Sequence, residues 1–243
     1  MNMRISAVIN TLNEEGNIAD CVRSVSGFAD EVIVADMHSS DGTAGIAAGL
    51  GASVRLIPRR PFVDPARNEA VSFASGDWVL LLDADERLTP VLAASLKRLA
   101  ASGSCDVVEV RFETRMFGRE IKYSGWQNTP RKAFFRRGFV VFPDDEVHAH
   151  PAHKGRLVSL PPAGGRILHL SYRDIGQFVR KMNAYTDGEA LKMRRAGWRP
   201  TPLKGAYWGL RHFLRRYLLQ QGWRDGGYGF VLCALMGVYW FLA

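Results

Sequence analysis

Cysteine is scarce in this chain of 243 residues, and what there is does not pair: Cys21, Cys105 and Cys233 are widely spaced and odd in number. That excludes a disulfide framework and a zinc site built from paired thiolates. A G-x-G-x-x-G fingerprint is missing too. TLNEEGN, after the first predicted strand, has no glycine pair for close pyrophosphate approach, which excludes a dinucleotide-binding fold of that kind. The opening MNMRISAVINTLNEEG has too short an apolar run for a signal sequence and turns acidic almost at once. With so few thiols, a reducing cytosol is the expected compartment.

Acid is absent altogether from residues 192 to 224, a stretch with nine Lys and Arg. The net charge is +8, so without these nine the rest of the chain carries −1. The basicity is a local C-terminal feature, interleaved with Trp198, Tyr207, Trp208, Phe213, Tyr217 and Trp223. That pattern favours an anionic membrane surface and argues against a nucleic-acid partner. LKGAYWGLRHFLRRYLLQ predicts an amphipathic helix, with Leu203, Tyr207, Leu210, Leu214 and Tyr217 on one side and Lys204, Trp208, Arg211 and Arg215 on another. The uncharged run from Tyr228 to Ala243 reaches only about 24 Å as a helix, short of the ~30 Å hydrocarbon core. It is expected to lie in the interface.

The rest reads as alternating strands and helices. ISAVIN, EVIVADM, SVRLI and WVLLLDAD are predicted strands, separated by helices through Ile18, Val22 and Val25, through TAGIAAG and through PARNEAVSFA. TPVLAASLKRLA follows with a Thr cap and Pro at its first position. The pattern implies an α/β fold, a Rossmann-like sheet flanked by helices with ligand loops at its carboxyl ends. After residue 104 the rhythm changes to VVEVRFETRMF, KYSGWQ, KAFFRRGFVVF and GRILHL, all strand-like, with no clear helix before residue 174. Three regions are therefore expected: a nucleotide half at 1–104, an acceptor half at 105–173, and a helical, membrane-associating region at 174–243.

The chemistry gathers at DADE. Asp83 and Asp85, one residue apart at a strand end, can converge on a hard divalent cation and leave positions open for phosphate oxygens. Such a cation, Mn²⁺ or Mg²⁺, neutralises charge building on a departing diphosphate. Read alone, the same letters also describe a solvated acidic loop. Asp36 ends the second strand, where nucleotide-binding sheets often put an acidic acceptor for the nucleoside; a helix-capping role suits it equally. With no glycine loop for the phosphate, a metal at Asp83 and Asp85 supplies the missing counter-charge.

TLNEEGNI, VADMHSSDGT, DPARNEA and GDWVLLLDADERL, in this order and spacing, resemble family-2 glycosyltransferases of the GT-A fold. The resemblance implies that Thr11, Asn13 and Glu14 line a nucleotide pocket, that Asp36 accepts from the base and that Arg67 lies near the nucleotide. It implies further that Asp83 faces ribose or metal and that Asp85 ligates the metal. His169 in ILHLSY is a candidate additional ligand, since neutral imidazole suits Mn²⁺ and many such enzymes use a late histidine; a packed core histidine is the other reading. DDEVHAH, ILHLSYRD and the KMNAYT helix are similar to the branch acting on bacterial lipopolysaccharide cores, although Ala149 stands where that branch commonly has Glu.

An inverting transfer needs a base for the acceptor hydroxyl. Asp145 is the first candidate, with Asp144 and Glu146 behind it, set against an acidic turn without a catalytic role. Trp126, Gln127, Arg131 and His148 are acceptor-binding candidates, because aromatic faces stack on sugars and cations pair with phosphates or acidic sugars. The expected function is hexosyl transfer from a nucleotide-sugar, UDP-linked, to a lipopolysaccharide-core or lipid-linked acceptor, by a peripheral protein on the cytoplasmic face of the inner membrane. The alternatives are a nucleotide-sugar-forming nucleotidyltransferase, which the acidic TLNEEGN loop suits poorly, and a membrane-bound nucleotide-sugar-binding protein without activity.

Overall fold

The computed structural model describes residues 3–60, 66–126, 130–143, 151–199 and 201–243, leaving aside the side chains of Ala184, Tyr185, Asp187, Gly188, Leu191 and Lys192. The chain forms two compact units, one from residues 1–112 and 130–169, the other from 113–129 and 170–243.

In chain order the first unit begins with β1 (Ile5–Thr11), α1 (Ile18–Ser26), β2 (Glu31–Asp36), α2 (Thr43–Gly49), β3 (Ser53–Leu56), α3 (Arg67–Ser72) and β4 (Trp78–Asp83). β5 (Glu86–Leu88), α4 (Pro90–Ser102) and β6 (Val107–Val110) follow. β7 (Phe112–Met116) and β8 (Arg119–Glu120) lead into the second unit; β9 (Arg131–Arg136), β10 (Val140–Val141), β11 (Ala152–His153) and β12 (Leu157–Ser159) return to the first. β13 (Ile167–Tyr172) leads out again to α5 (Ile175–Arg195), α6 (Pro202–Leu214) and α7 (Gly226–Leu242).

The central sheet of the first unit has the order β12-β6-β9-β4-β1-β2-β3. β1 to β4 run parallel, and β9 lies antiparallel between β4 and β6. All seven residues of β1, and Trp78 to Leu82 of β4, are buried. Both faces of these middle strands are covered, which is why they read as unbroken apolar runs, whereas the edge strand β3 is mostly exposed. Ile5, Ala7 and Ile9 pack with α1 and α4 on one face; Val8, Val79 and Leu81 pack with Ala66 and Ala70 at α3 on the other. Trp78 stacks on Phe134 at 4.6 Å, tying β4 to β9. α4 starts with Pro90 at its first position as expected, but Thr89 before it makes no side-chain cap and donates its hydroxyl to the Arg166 carbonyl; the helix stops at Gly103 in the left-handed region. This is the mixed α/β architecture, with a mainly parallel central sheet, that the alternating pattern implies.

In the second unit β7 pairs with β8, and Met116, Ile121, Phe178, Met182 and Leu232 form a small core. α6 and α7 are antiparallel: Gly205 meets Phe241, Gly209 meets Gly237, and Phe213 meets Phe230. A β-carbon at Gly209 would lie 2.8 Å from the Gly237 carbonyl oxygen, so the backbones approach closely only because both residues are glycine. Asp225, just before α7, accepts from the backbone N–H of Lys122 and Tyr123 and from the Ser124 hydroxyl, while Arg216 donates to the Ser124 carbonyl.

Three local expectations change. VVEVRFETRMF divides at Arg111, whose carbonyl accepts from Ile167, so β6 and β7 are separate strands. KYSGW is a turn, because Ser124 and Gly125 take φ of 67° and 79° under the grip of Asp225 and Gln220. Tyr217 leaves the expected row: α6 ends in a π-helical turn, Arg215–Leu219, and Tyr217 stacks on Phe213 and meets Phe230 edge-on.

Two glycine substitutions separate these roles. Gly45→Ala, with open space around its β-carbon in α2, is expected to raise stability by about 0.5 kcal/mol; Gly209→Ala is expected to lower it by ~1 kcal/mol or more, both read from denaturant midpoints.

Candidate active site

The parallel register brings the carboxyl ends of three strands together. Thr11 of β1 pairs with Asp36 of β2, and Asn10 pairs with Asp83 of β4. This edge is where open α/β sheets place their ligands. Asp36 is 1 % exposed and accepts from the Ser39 N–H at 3.1 Å and the Ser39 hydroxyl at 2.6 Å. Asn13, at φ 53°, takes the Ser40 N–H on its side-chain oxygen. Glu14 accepts from the Asn17 amide at 2.6 Å, and its own N–H donates to the Thr43 hydroxyl. Thr11, Asn13, Glu14 and Asp36 thus belong to one strand-end and loop cluster.

Asp83 is the hub. Its Oδ2 lies 3.0 Å from Arg67 Nη2 and 3.1 Å from Arg131 Nη1, and Arg131 also pairs with Glu86. Glu86 in turn accepts the backbone N–H of Asp83 at 2.9 Å, closing the turn. Arg87 draws the same turn inward, donating to the carbonyls of Ala84 and Glu86. Burial works to raise the Asp83 pKa, but the guanidinium of Arg67, then that of Arg131, outweighs it and holds the carboxyl below its usual range. Glu86 goes the other way. Burial pushes it up, and the one shared arginine does not compensate in the presence of Asp83.

Asp85, between them in sequence, is left facing His169. β5 and β13 pair antiparallel with His169 opposite Glu86, and His169 Nε2 lies 3.6 Å from Asp85 Oδ2. Asp85, Glu86 and His169 each offer one ligand atom, all within 4.8 Å of one another. Two carboxylate oxygens and an imidazole nitrogen are a donor set that suits Mn²⁺ or Mg²⁺. Burial opposes the charged imidazole, but the Asp85 contact and charge, then Glu86 and Asp83, outweigh it, so the His169 pKa is raised.

Placement differs from expectation in three respects. Arg131, expected at an acceptor, directs its guanidinium at Asp83 and Glu86 and lies 4.9 Å from the centre of the Phe112 ring. Asp83, expected at both donor and metal, is engaged by two arginines, while Glu86, absent from the expected set, lies beside Asp85 and His169. Its only signal in the sequence is adjacency to Asp85 at a strand start. Trp126, in the second unit, packs edge-on to Tyr172 and Phe178 with Arg216 over its ring at 5.0 Å. Asp144, Asp145, Glu146, His148 and Gln127 lie outside the described residues.

The sequence profile of Glycosyl transferase family 2 matches residues 6–159, well over half of the chain. The chain belongs to glycosyltransferase family 2. An uncharacterized glycosyltransferase of Rickettsia bellii is 30 % identical over 241 residues, covering 90 % of this chain and 79 % of that one. The lipopolysaccharide core biosynthesis glycosyltransferase LpsC of Rhizobium meliloti is 28 % identical over 251 residues, covering 98 % and 89 %. Among solved structures, S. aureus TarS 1–349 in complex with UDP superposes with a TM-score of 0.54 at 17 % identity, over 76 % of this chain and 64 % of that one, and shares the fold.

Two outcomes follow for this family-2 site. Arg131→Met strips the buried Glu86 of its guanidinium partner and removes one of two from the part-buried Asp83, and is expected to cost ~3 kcal/mol in equilibrium unfolding. Mn²⁺ binding, followed calorimetrically, is expected to weaken as pH falls: His169 with its raised pKa, and Glu86 with its own, hold protons that a metal must displace. Proton uptake in place of release on Mn²⁺ addition would contradict the ligand set.

Proposed function

We propose that the protein is an inverting, metal-dependent hexosyltransferase, using a UDP-sugar donor and a lipopolysaccharide-core or lipid-linked acceptor. The observation that carries this is the convergence of Asp85, Glu86 and His169 beside the Asp83–Arg67–Arg131 cluster, at the carboxyl edge of the sheet. LpsC, similar over nearly the whole chain, supports the acceptor class. TarS, of the same fold, was solved with UDP, the nucleotide carried into the proposal.

A divalent cation held by Asp85 and His169, with Glu86 adjacent, would supply positive charge for the departing diphosphate. The chain's residues do the rest. Arg67 and Arg131 hold Asp83 ionised and oriented, so that it can accept from a ribose hydroxyl. Asp36, Thr11, Asn13 and Glu14 frame the nucleoside. The acceptor oxygen forms its bond to the anomeric carbon from the face opposite the diphosphate as the bond to the diphosphate breaks. Its proton passes to a carboxylate, which the sequence assigns to Asp145, with Asp144 and Glu146 as alternates. Of the expected acceptor contacts His148 stays in the proposal, since Arg131 is engaged by Asp83 and Glu86 and Trp126 packs on Tyr172 and Phe178.

On this reading the enzyme lies peripherally on the cytoplasmic face of the inner membrane, with the C-terminal hairpin as its membrane contact. Gly222–Leu242 is long and apolar enough to cross a membrane by length and composition. Its pairing with α6 argues for lying flat. With the hairpin closed, an upright α7 would carry Arg211 of α6 to its own mid-level, at about 2.5–3.5 kcal/mol for a charge at the bilayer centre, with Arg215 close behind.

The test is hydrolysis of UDP-glucose and related UDP-hexoses with Mn²⁺. Asp85→Ala is expected to lower turnover about 100-fold or more; equal turnover by the variant would refute the metal-assisted reading.

A further inference from the structure

The apolar row predicted for α6 faces outward. Leu203, Tyr207, Leu210 and Leu214 are 84, 62, 59 and 40 % exposed, and they recur every three or four residues along one helix face. The π-helical turn prolongs the row. It turns Tyr217 toward α7 and leaves the consecutive Leu218 and Leu219 at 55 and 80 % exposure. A shallow groove of about 570 Å³ runs along this face, lined by the Tyr207, Leu210, Leu214 and Leu218 row together with Arg211 and Arg215. A folded chain gains nothing from a solvated row of leucines, and a contiguous patch of this kind marks an interaction surface.

Charge identifies the occupant. Arg211 and Arg215 flank the groove and are exposed, Lys204 lies on the same helix, and no carboxylate occurs between residues 192 and 224. An apolar groove edged by guanidinium groups matches an amphiphile that is apolar in its tail and anionic in its head. The face is also held stiffly. The close glycine packing of α6 on α7 and the Asp225 and Arg216 hydrogen bonds to residues 122–124 fix the helix without involving the exposed row.

We propose that this face of α6 is a docking surface for an anionic phospholipid bilayer, its leucine row entering the acyl region while Arg211 and Arg215 pair with headgroup phosphates. The proposal rests on the membrane placement in the reading above and goes beyond it by assigning the face of α6 that enters the bilayer and the two arginines that meet its headgroups.

Flotation of the full chain with phosphatidylcholine vesicles, with and without phosphatidylglycerol, tests it, with UDP-glucose hydrolysis measured on the same preparations. The chain is expected to float with phosphatidylglycerol-containing vesicles and far less with phosphatidylcholine alone. Arg211→Gln with Arg215→Gln should weaken flotation about fivefold per charge removed, and Leu210→Ser with Leu214→Ser should abolish it, with donor hydrolysis unchanged. Flotation of the chain that neither double variant alters overturns the α6 assignment but leaves membrane placement intact, and no flotation with any vesicle overturns both. A dimer in light scattering that the serine variant turns into a monomer overturns the proposal in favour of a second copy. Loss of hydrolysis by wild-type chain that still floats counts against the enzymatic reading alone.

Discussion

The site depends on how two neighbouring carboxylates, one buried and one part-buried, are held in place by arginine. Asp83 and Glu86, on either side of a tight turn after β4, converge on one guanidinium, that of Arg131, and Arg67 adds a second to Asp83 alone. Removing such charges from water costs several kcal/mol per ion, which only well-placed partners offset. The uneven supply of arginine explains the split behaviour: Asp83 is held ionised, while Glu86 is pushed toward protonation. The same network decides what is left over. With Asp83 engaged by guanidinium groups, Asp85 and His169 are the ligand atoms facing each other beside Glu86.

The cluster draws on four separate segments. Asp83 to Glu86 come from the end of β4 and the start of β5, Arg67 from the start of α3, Arg131 from β9 and His169 from β13. The antiparallel β9, inserted between β4 and β6 in an otherwise mainly parallel sheet, delivers Arg131 to the carboxyl edge.

The C-terminal hairpin obeys a different constraint. α6 and α7 come together through glycines, and Leu203, Tyr207, Leu210 and Leu214 of α6 face outward. A single π-helical turn shifts which residues face which way, moving Tyr217 inward and two leucines outward. The hairpin therefore combines close packing within itself with an apolar, arginine-edged exterior.

Much of this was legible from the letters. Unbroken apolar runs identify β1, β2 and β4, Thr89 and Pro90 mark the start of α4, and the motif order from TLNEEG to DADERL implies the family, because short-range pattern and strand-end chemistry are local properties. The regions after residue 104 were less so. Where VVEVRFETRMF divides, that KYSGW is a turn and that Arg131 serves Asp83 and Glu86 all depend on partners far away in sequence, such as Ile167, Asp225 and Asp83. The chain itself determined which carboxylates stand at the end of β4; only tertiary structure decided which of them face arginine and which face His169, because that follows from strand order and register and not from spacing along the chain.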